Sequence, residues 1–174
     1  IFKSSSAAKE VFLQADEALG RNLSKIMFEG PEDALKQTIN AQPSITTTSL
    51  ACIKAMEELL GSETMPYPNL MAGHSLGEYT ALSAAGVLDI ATTLKLVLKR
   101  GELMQEACEV NPGTMAAIIG LDETSLTEIA LQTGTYISNI NMPDQIVISG
   151  ENMSIARAID LAKARGAKRA IHLK

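Results

Sequence analysis

The stretch Gly73-His74-Ser75-Leu76-Gly77-Glu78, inside LMAGHSLGEYTAL, constrains the fold more than any other part of the chain. A short apolar run, Leu70 to Ala72, precedes it, and helical spacing begins at Glu78, so the pattern predicts strand, sharp turn, helix. A G-x-S-x-G turn holds its serine in a strained backbone conformation. Glycines flank it because a Cβ there would collide with the neighbouring strand or helix. The Ser75 oxygen is thereby left exposed as a nucleophile. The following helix aims its free N–H groups and positive end at the same point, so the Leu76 amide is expected to stabilise an oxyanion formed when Ser75 attacks a carbonyl.

With 174 residues, 46% of them hydrophobic, the chain can bury a sizeable core as one large or two small domains. A net charge of -5 and a pI near 5.1 argue against nucleic acid or an anionic membrane as partner, since both need a basic face. No run of about 18 apolar residues could span a membrane, and IFKSSSAAKE lacks the apolar core of a signal peptide. Cys52 and Cys108 lie within helical apolar patterns, not at metal-ligand spacings, and read as buried free thiols in a reducing, cytoplasmic setting. Ile1 and the apolar-basic AKRAIHLK ending at Lys174 suggest a piece of something longer.

Helices are expected over Ser4–Leu19, Glu32–Thr38 and Pro43–Leu60, with Leu23–Phe28 as an apolar turn. In the third helix Ile45, Ser49, Cys52, Ile53, Met56 and Leu59 form a stripe suited to packing on the strand that carries Ser75. Ser62–Pro68 reads as a loop and Asn69–Gly73 as a buried strand. Helices follow over Glu78–Ala85 and, capped by Asp89, to about Glu109, with Leu94, Leu98 and Met104 inward. Asn111, Pro112 and Gly113 mark a boundary. Beyond it strands at Met115–Gly120, Tyr136–Asn141, Gln145–Ser149 and Arg169–Leu173 and helices at Glu123–Gln132 and Ser154–Arg165 give the order βαββαβ, the ferredoxin-like unit.

GHSLGEYTAL resembles the active-site signature of the malonyl-CoA:acyl carrier protein transacylases. AQPSI (Ala41–Ile45), KRGELMQEA (Lys99–Ala107), GTMAAIIGL (Gly113–Leu121) and NINMPDQIVISG (Asn139–Gly150) resemble further family blocks in family order. The resemblance implies an α/β chain: a partial α/β-hydrolase-like core over residues 1–110, and a ferredoxin-like subdomain over 111–174. The family's usual N-terminal strand and later histidine segment are absent from this sequence. The resemblance further implies malonyl transfer from malonyl-CoA to acyl carrier protein through a Ser75 acyl-enzyme, by a cytoplasmic monomer without metal or cofactor.

A serine needs a base, and only His74 and His172 are present. His74 falls in the substrate-binding turn, but adjacent strand residues point to opposite faces, so its imidazole is expected to aim away from the hydroxyl, buried and bonded to backbone. His172 is expected as a strand residue, and a polypeptide of these residues alone as a poor acyltransferase. Arg100 matches the family arginine that pairs bidentately with the malonyl carboxylate. Asn139 and Asn141 are candidates for lining the pocket or orienting the base. Gln42 reads as a helix-entry residue. Lys163, Arg165, Lys168, Arg169 and Lys174 form a candidate patch for the acidic carrier protein. A serine esterase or thioesterase on the same fold, and a non-catalytic fragment lacking the base, are the rival readings.

Overall fold

Met115–Ile119 is apolar throughout and Gln145–Ser149 is apolar from Ile146 to Ile148, the short continuous runs of strands buried at the centre of a sheet. The computed structural model, which describes residues 1–61, 63–66 and 68–173, pairs these two segments at the centre of a four-stranded antiparallel sheet. The chain divides into two units, Ile1–Ala107 and Cys108–Lys174.

The first unit is helical among its described residues: α1 (Ser6–Leu19), α2 (Leu23–Glu29), α3 (Glu32–Lys36), α4 (Thr38–Leu60), α5 (Gly77–Ala84) and most of α6 (Ile90–Val110). Ser5 caps α1, its hydroxyl accepting from the Ala8 N–H at 3.0 Å. The α1 stripe Ala8, Val11, Phe12 packs on Leu50 and Ala51 of α4. All three phenylalanines, Phe2, Phe12 and Phe28, meet with ring centroids 4.9–5.4 Å apart. The expected apolar turn at Leu23–Phe28 is helix α2. One of its N-terminal donors is taken by Asp16 of α1, which accepts from the Ser24 N–H at 2.8 Å and also from the Ser24 hydroxyl at 2.5 Å. A cap from eight residues upstream leaves no local signature.

Helix α4 starts at Thr38, five residues before the expected Pro43, and Pro43 lies inside it. Proline removes the N–H that would bond the Ile39 carbonyl, and Arg21 supplies the missing donor, Nη2 to that oxygen at 2.7 Å. The buried face of α4 is Gln42, Pro43, Ser44, Thr46, Thr47, Leu50 and Ala51. The expected stripe is not the core: Ile45, Met56 and Leu59 are exposed, Leu59 at 83%. Small residues let α1 approach α4 closely, and that approach rather than apolar content selected the buried side.

Asn69–Gly73 is not a buried strand. It pairs with no strand among the described residues, and Leu70 is 90% exposed. A strand exists only with a ladder partner, which no local pattern guarantees. Ser62 and Tyr67, within the expected loop, lie outside the described residues. Helix α6 begins behind Asp89, which accepts from the Thr92 N–H at 2.6 Å. Leu94 is buried, whereas Leu98 is half-buried and Met104 exposed. Nor is either thiol buried: Cys52 is half-buried and Cys108 exposed.

The second unit runs β1 (Thr114–Ile119), α7 (Glu123–Thr133), β2 (Tyr136–Met142), β3 (Gln145–Gly150), α8 (Asn152–Ala164) and β4 (Arg169–Leu173), in sheet order β2-β3-β1-β4 with antiparallel neighbours. Ala116 faces Ile148 and Ile118 faces Ile146 across the central pair. These four pack with Leu126 and Ile129 of α7 and Ile155, Ala158 and Ala162 of α8.

Candidate active site

The Gly73–Gly77 turn folds on itself. A Cβ on Gly73 would lie 1.9 Å from the Gly77 carbonyl carbon and 2.4 Å from the Glu78 nitrogen, so only glycine fits there. Gly77 is different: a Cβ there would meet nothing within 4 Å, which corrects the expectation that both glycines are sterically required. The Gly77 N–H closes onto the His74 carbonyl at 2.9 Å and the Glu78 N–H onto the Ser75 carbonyl at 3.1 Å. Ser75, at φ 53°, is the one non-glycine residue at positive φ among the described residues. Such a conformation costs on the order of 1–3 kcal/mol and persists where its surroundings enforce it, as this turn does.

Leu76 caps α5, and its N–H donates to no backbone acceptor among the described residues. It stands with the first N–H groups of the helix, where a developing negative charge is favoured.

Arg100 reaches Ser75 from α6. Its Nη2 donates to the Ser75 hydroxyl at 2.6 Å, and its Nη1 donates to the Gln42 side-chain oxygen. Gln42, 8% exposed, in turn donates from Nε2 to the Met104 sulfur at 3.2 Å. No carboxylate pairs with Arg100 among the described residues. The positive group beside Ser75 Oγ favours charge there, but a guanidinium only donates, so it cannot take the serine proton. The arrangement brings together a serine hydroxyl on a strained turn, a guanidinium with no carboxylate partner among the described residues, and the N–H groups at the start of a helix.

His74 is exposed rather than buried, and its ring makes no hydrogen bond with Ser75 among the described residues. The alternation argument applied to a strand, and the segment is not one. Asn139 and Asn141 belong to the second unit, on β2 at the edge of the sheet. Asn139 is half-buried opposite Val147, and Asn141 is exposed where the register shifts between Ile140 and Met142. His172 is on β4, with Nε2 3.2 Å from the Thr114 hydroxyl. The first unit thus brings Ser75, Leu76 and Arg100 together and adds Gln42, which reads locally as a helix-entry residue. Its one sequence signal is its place in the AQPSI block.

The acyl transferase domain family model matches residues 1–173. The malonyl CoA-acyl carrier protein transacylase of Bacillus subtilis is 42% identical over 179 residues, covering 100% of this chain and 55% of that protein. The crystal structure of acyl-carrier-protein-S-malonyltransferase from Bartonella henselae has a TM-score of 0.90 and 45% identity, over 98% of this chain and 55% of that one. A type II PKS acyl-carrier protein in complex with its malonyl-transacylase gives a TM-score of 0.88 and 39% identity, over 99% and 56%. The chain spans about half the length of the curated relatives it matches. With a match running through both units, and a strained serine turn where the family resemblance puts its nucleophile, this chain belongs to the acyl transferase domain family.

Proposed function

We propose that the intact protein transfers a malonyl group from malonyl-CoA to the phosphopantetheine thiol of acyl carrier protein through an ester on Ser75. The observation that carries the reading is Ser75 at φ 53° with the Arg100 guanidinium 2.6 Å from its hydroxyl. Ser75 Oγ attacks the thioester carbonyl as its proton passes to a base, and the oxyanion leans on the Leu76 amide. The C–S bond then breaks and CoA leaves as its thiol with that proton. The carrier's thiol attacks the ester in turn and returns the Ser75 hydroxyl. Arg100 Nη2 gives up the Ser75 hydroxyl and, with a second hydrogen of Nη1, pairs with the malonyl carboxylate. The family resemblance assigns His74 in the first unit, and Asn139 and Asn141 in the second, to substrate binding. The steps call for no metal or cofactor.

The names of the relatives support the donor and acceptor, and the carrier-protein complex among the similar structures supports the partner. Residues 1–110 are assigned by the family resemblance to a partial α/β-hydrolase-like core, and residues 111–174 to a ferredoxin-like subdomain, the second assignment supported by the sheet order β2-β3-β1-β4. The protein is assigned a cytoplasmic, monomeric state, and because this chain carries a net charge of -5 it docks the acidic carrier through a local basic patch, Lys163, Lys168 and Arg169, rather than through its overall field. Arg165 already pairs with Glu128 at 2.7 Å, and Lys174 lies outside the described residues.

Intact-protein mass spectrometry after incubation with malonyl-CoA tests the reading. The expected adduct appears on the unsubstituted protein and not on Ser75→Ala, and equal yields on both would remove the nucleophile assignment. Arg100→Ala is expected to lower the preference for malonyl over acetyl by roughly ten to a hundredfold, the worth of a charged hydrogen-bonded pair. Equal loss of malonyl and acetyl loading would make Arg100 structural.

A further inference from the structure

We propose that Gln42 is a positioning residue that sets the selectivity of the site by holding Arg100 in place while leaving it charged; this rests on the malonyl reading of Ser75 and Arg100. Gln42 uses both ends of its amide. Its oxygen accepts from Arg100 Nη1 and its nitrogen donates to the Met104 sulfur, one turn further along α6. The chemistry fixes the orientation of the amide: a guanidinium only donates and a thioether only accepts, so a flipped amide would lose both contacts.

The backbone is arranged to make this reach possible. Gly101 is buried, and a Cβ there would sit 3.2 Å from the Thr38 carbonyl oxygen and 3.3 Å from the Ile39 Cα. Lacking that Cβ, α6 passes close to the first turn of α4, and Gln42 one turn on meets Arg100. Pro43 would otherwise leave the Ile39 carbonyl unpaired beside this contact, and Arg21 satisfies it. Three separate features therefore converge on one side-chain pair.

A neutral partner matters because Arg100 has work left to do. Each terminal guanidinium nitrogen carries two hydrogens, so Nη1 can bond Gln42 and still present a hydrogen, beside Nη2, to a bidentate carboxylate. A carboxylate at position 42 would instead neutralise Arg100 and compete with the substrate for it. An apolar side chain of the same size would leave the guanidinium free to adopt other rotamers.

The test is competitive loading of Ser75 from mixed malonyl-CoA and acetyl-CoA, read by intact-protein mass spectrometry, with thermal melts as a folding check. Gln42→Met and the near-isosteric Gln42→Glu are each expected to lower the malonyl-to-acetyl ratio by about tenfold, the scale of one charge-assisted hydrogen bond. Because Gln42 acts through Arg100, adding Gln42→Met to Arg100→Ala should change the ratio no further. If Arg100→Ala shifts the ratio while a folded Gln42→Glu keeps the unsubstituted value, the positioning role is overturned and the malonyl reading stands. If the ratio in the double variant falls below that of Arg100→Ala, Gln42 acts on its own and the proposal fails. A protein that shows no malonyl preference before substitution removes both readings.

Discussion

At Gly73 a single hydrogen decides whether the serine turn can form. Replacing it by a methyl would put a carbon 1.9 Å from the Gly77 carbonyl carbon and 2.0 Å from its oxygen, both backbone atoms that cannot rotate away. The turn must open, and Ser75 then loses the enforced positive φ and its place before α5. Gly73→Ala is accordingly expected to cut Ser75 acylation on the order of a hundredfold, comparable to losing an oxyanion donor. Gly77→Ala, whose Cβ points into open space, should cost far less. Acylation rates of the two variants measured side by side check this, and equal losses would contradict the geometry. The turn was legible in the sequence because its constraint spans only five residues. The asymmetry between its glycines was not, since it depends on where each Cβ vector points.

At the scale of elements, carboxylates fasten helix ends. The Asp89 and Asp122 carboxyls are held below their ordinary range first by the N–H groups of Thr92 and Ser125, at the starts of α6 and α7. Glu58 is lowered as well, chiefly by the hydroxyl of Ser5, the α1 cap, and then by that of Ser6, the first residue of that helix. A carboxylate with a depressed folded pKa contributes stability that is complete above its unfolded value and lost as pH falls through the folded one. The chain should therefore keep its stability at pH 5 and lose part of it below about pH 4, where unfolded carboxylates begin to protonate. Asparagine caps as well as aspartate without titrating, so Asp89→Asn with Asp122→Asn should flatten the acid slope. Melting temperatures from pH 5 to pH 2 provide the check, and an unchanged slope would show that the caps do not matter. The two aspartate caps each span four residues and could be read from the chain. Glu58, 53 residues from Ser5, could not.

Over the whole chain, order is distributed unevenly. In the second unit Ala116, Ile118, Ile146 and Ile148 are fully buried on the two central strands. In the first, the 69–73 segment leading to the serine turn has no ladder among the described residues and leaves Leu70 almost wholly exposed. Amide exchange follows the free energy of local opening. Hydrogen-exchange mass spectrometry of this chain should find the slowest amides at Ala116–Ile118 and Ile146–Ile148, and exchange faster by about two orders of magnitude or more over residues 69–73, as unpaired backbone opens at almost no cost. Comparable protection of the two regions would mean that 69–73 is paired after all.

The sequence by itself determined what depends on neighbours within about one helical turn or one strand: the serine turn, the aspartate caps, and the order and period of the elements in the second unit. Arg21 repairing the proline gap in α4, the buried side of α4, and the Gln42–Arg100–Ser75 chain joining residues 58 and 25 positions apart were decided only by tertiary structure. The reason is physical. Backbone sterics and capping hydrogen bonds are short-ranged along the chain, whereas a side chain's partner is chosen by which helices approach closely enough, as the absent Cβ of Gly101 permits at Thr38 and Ile39.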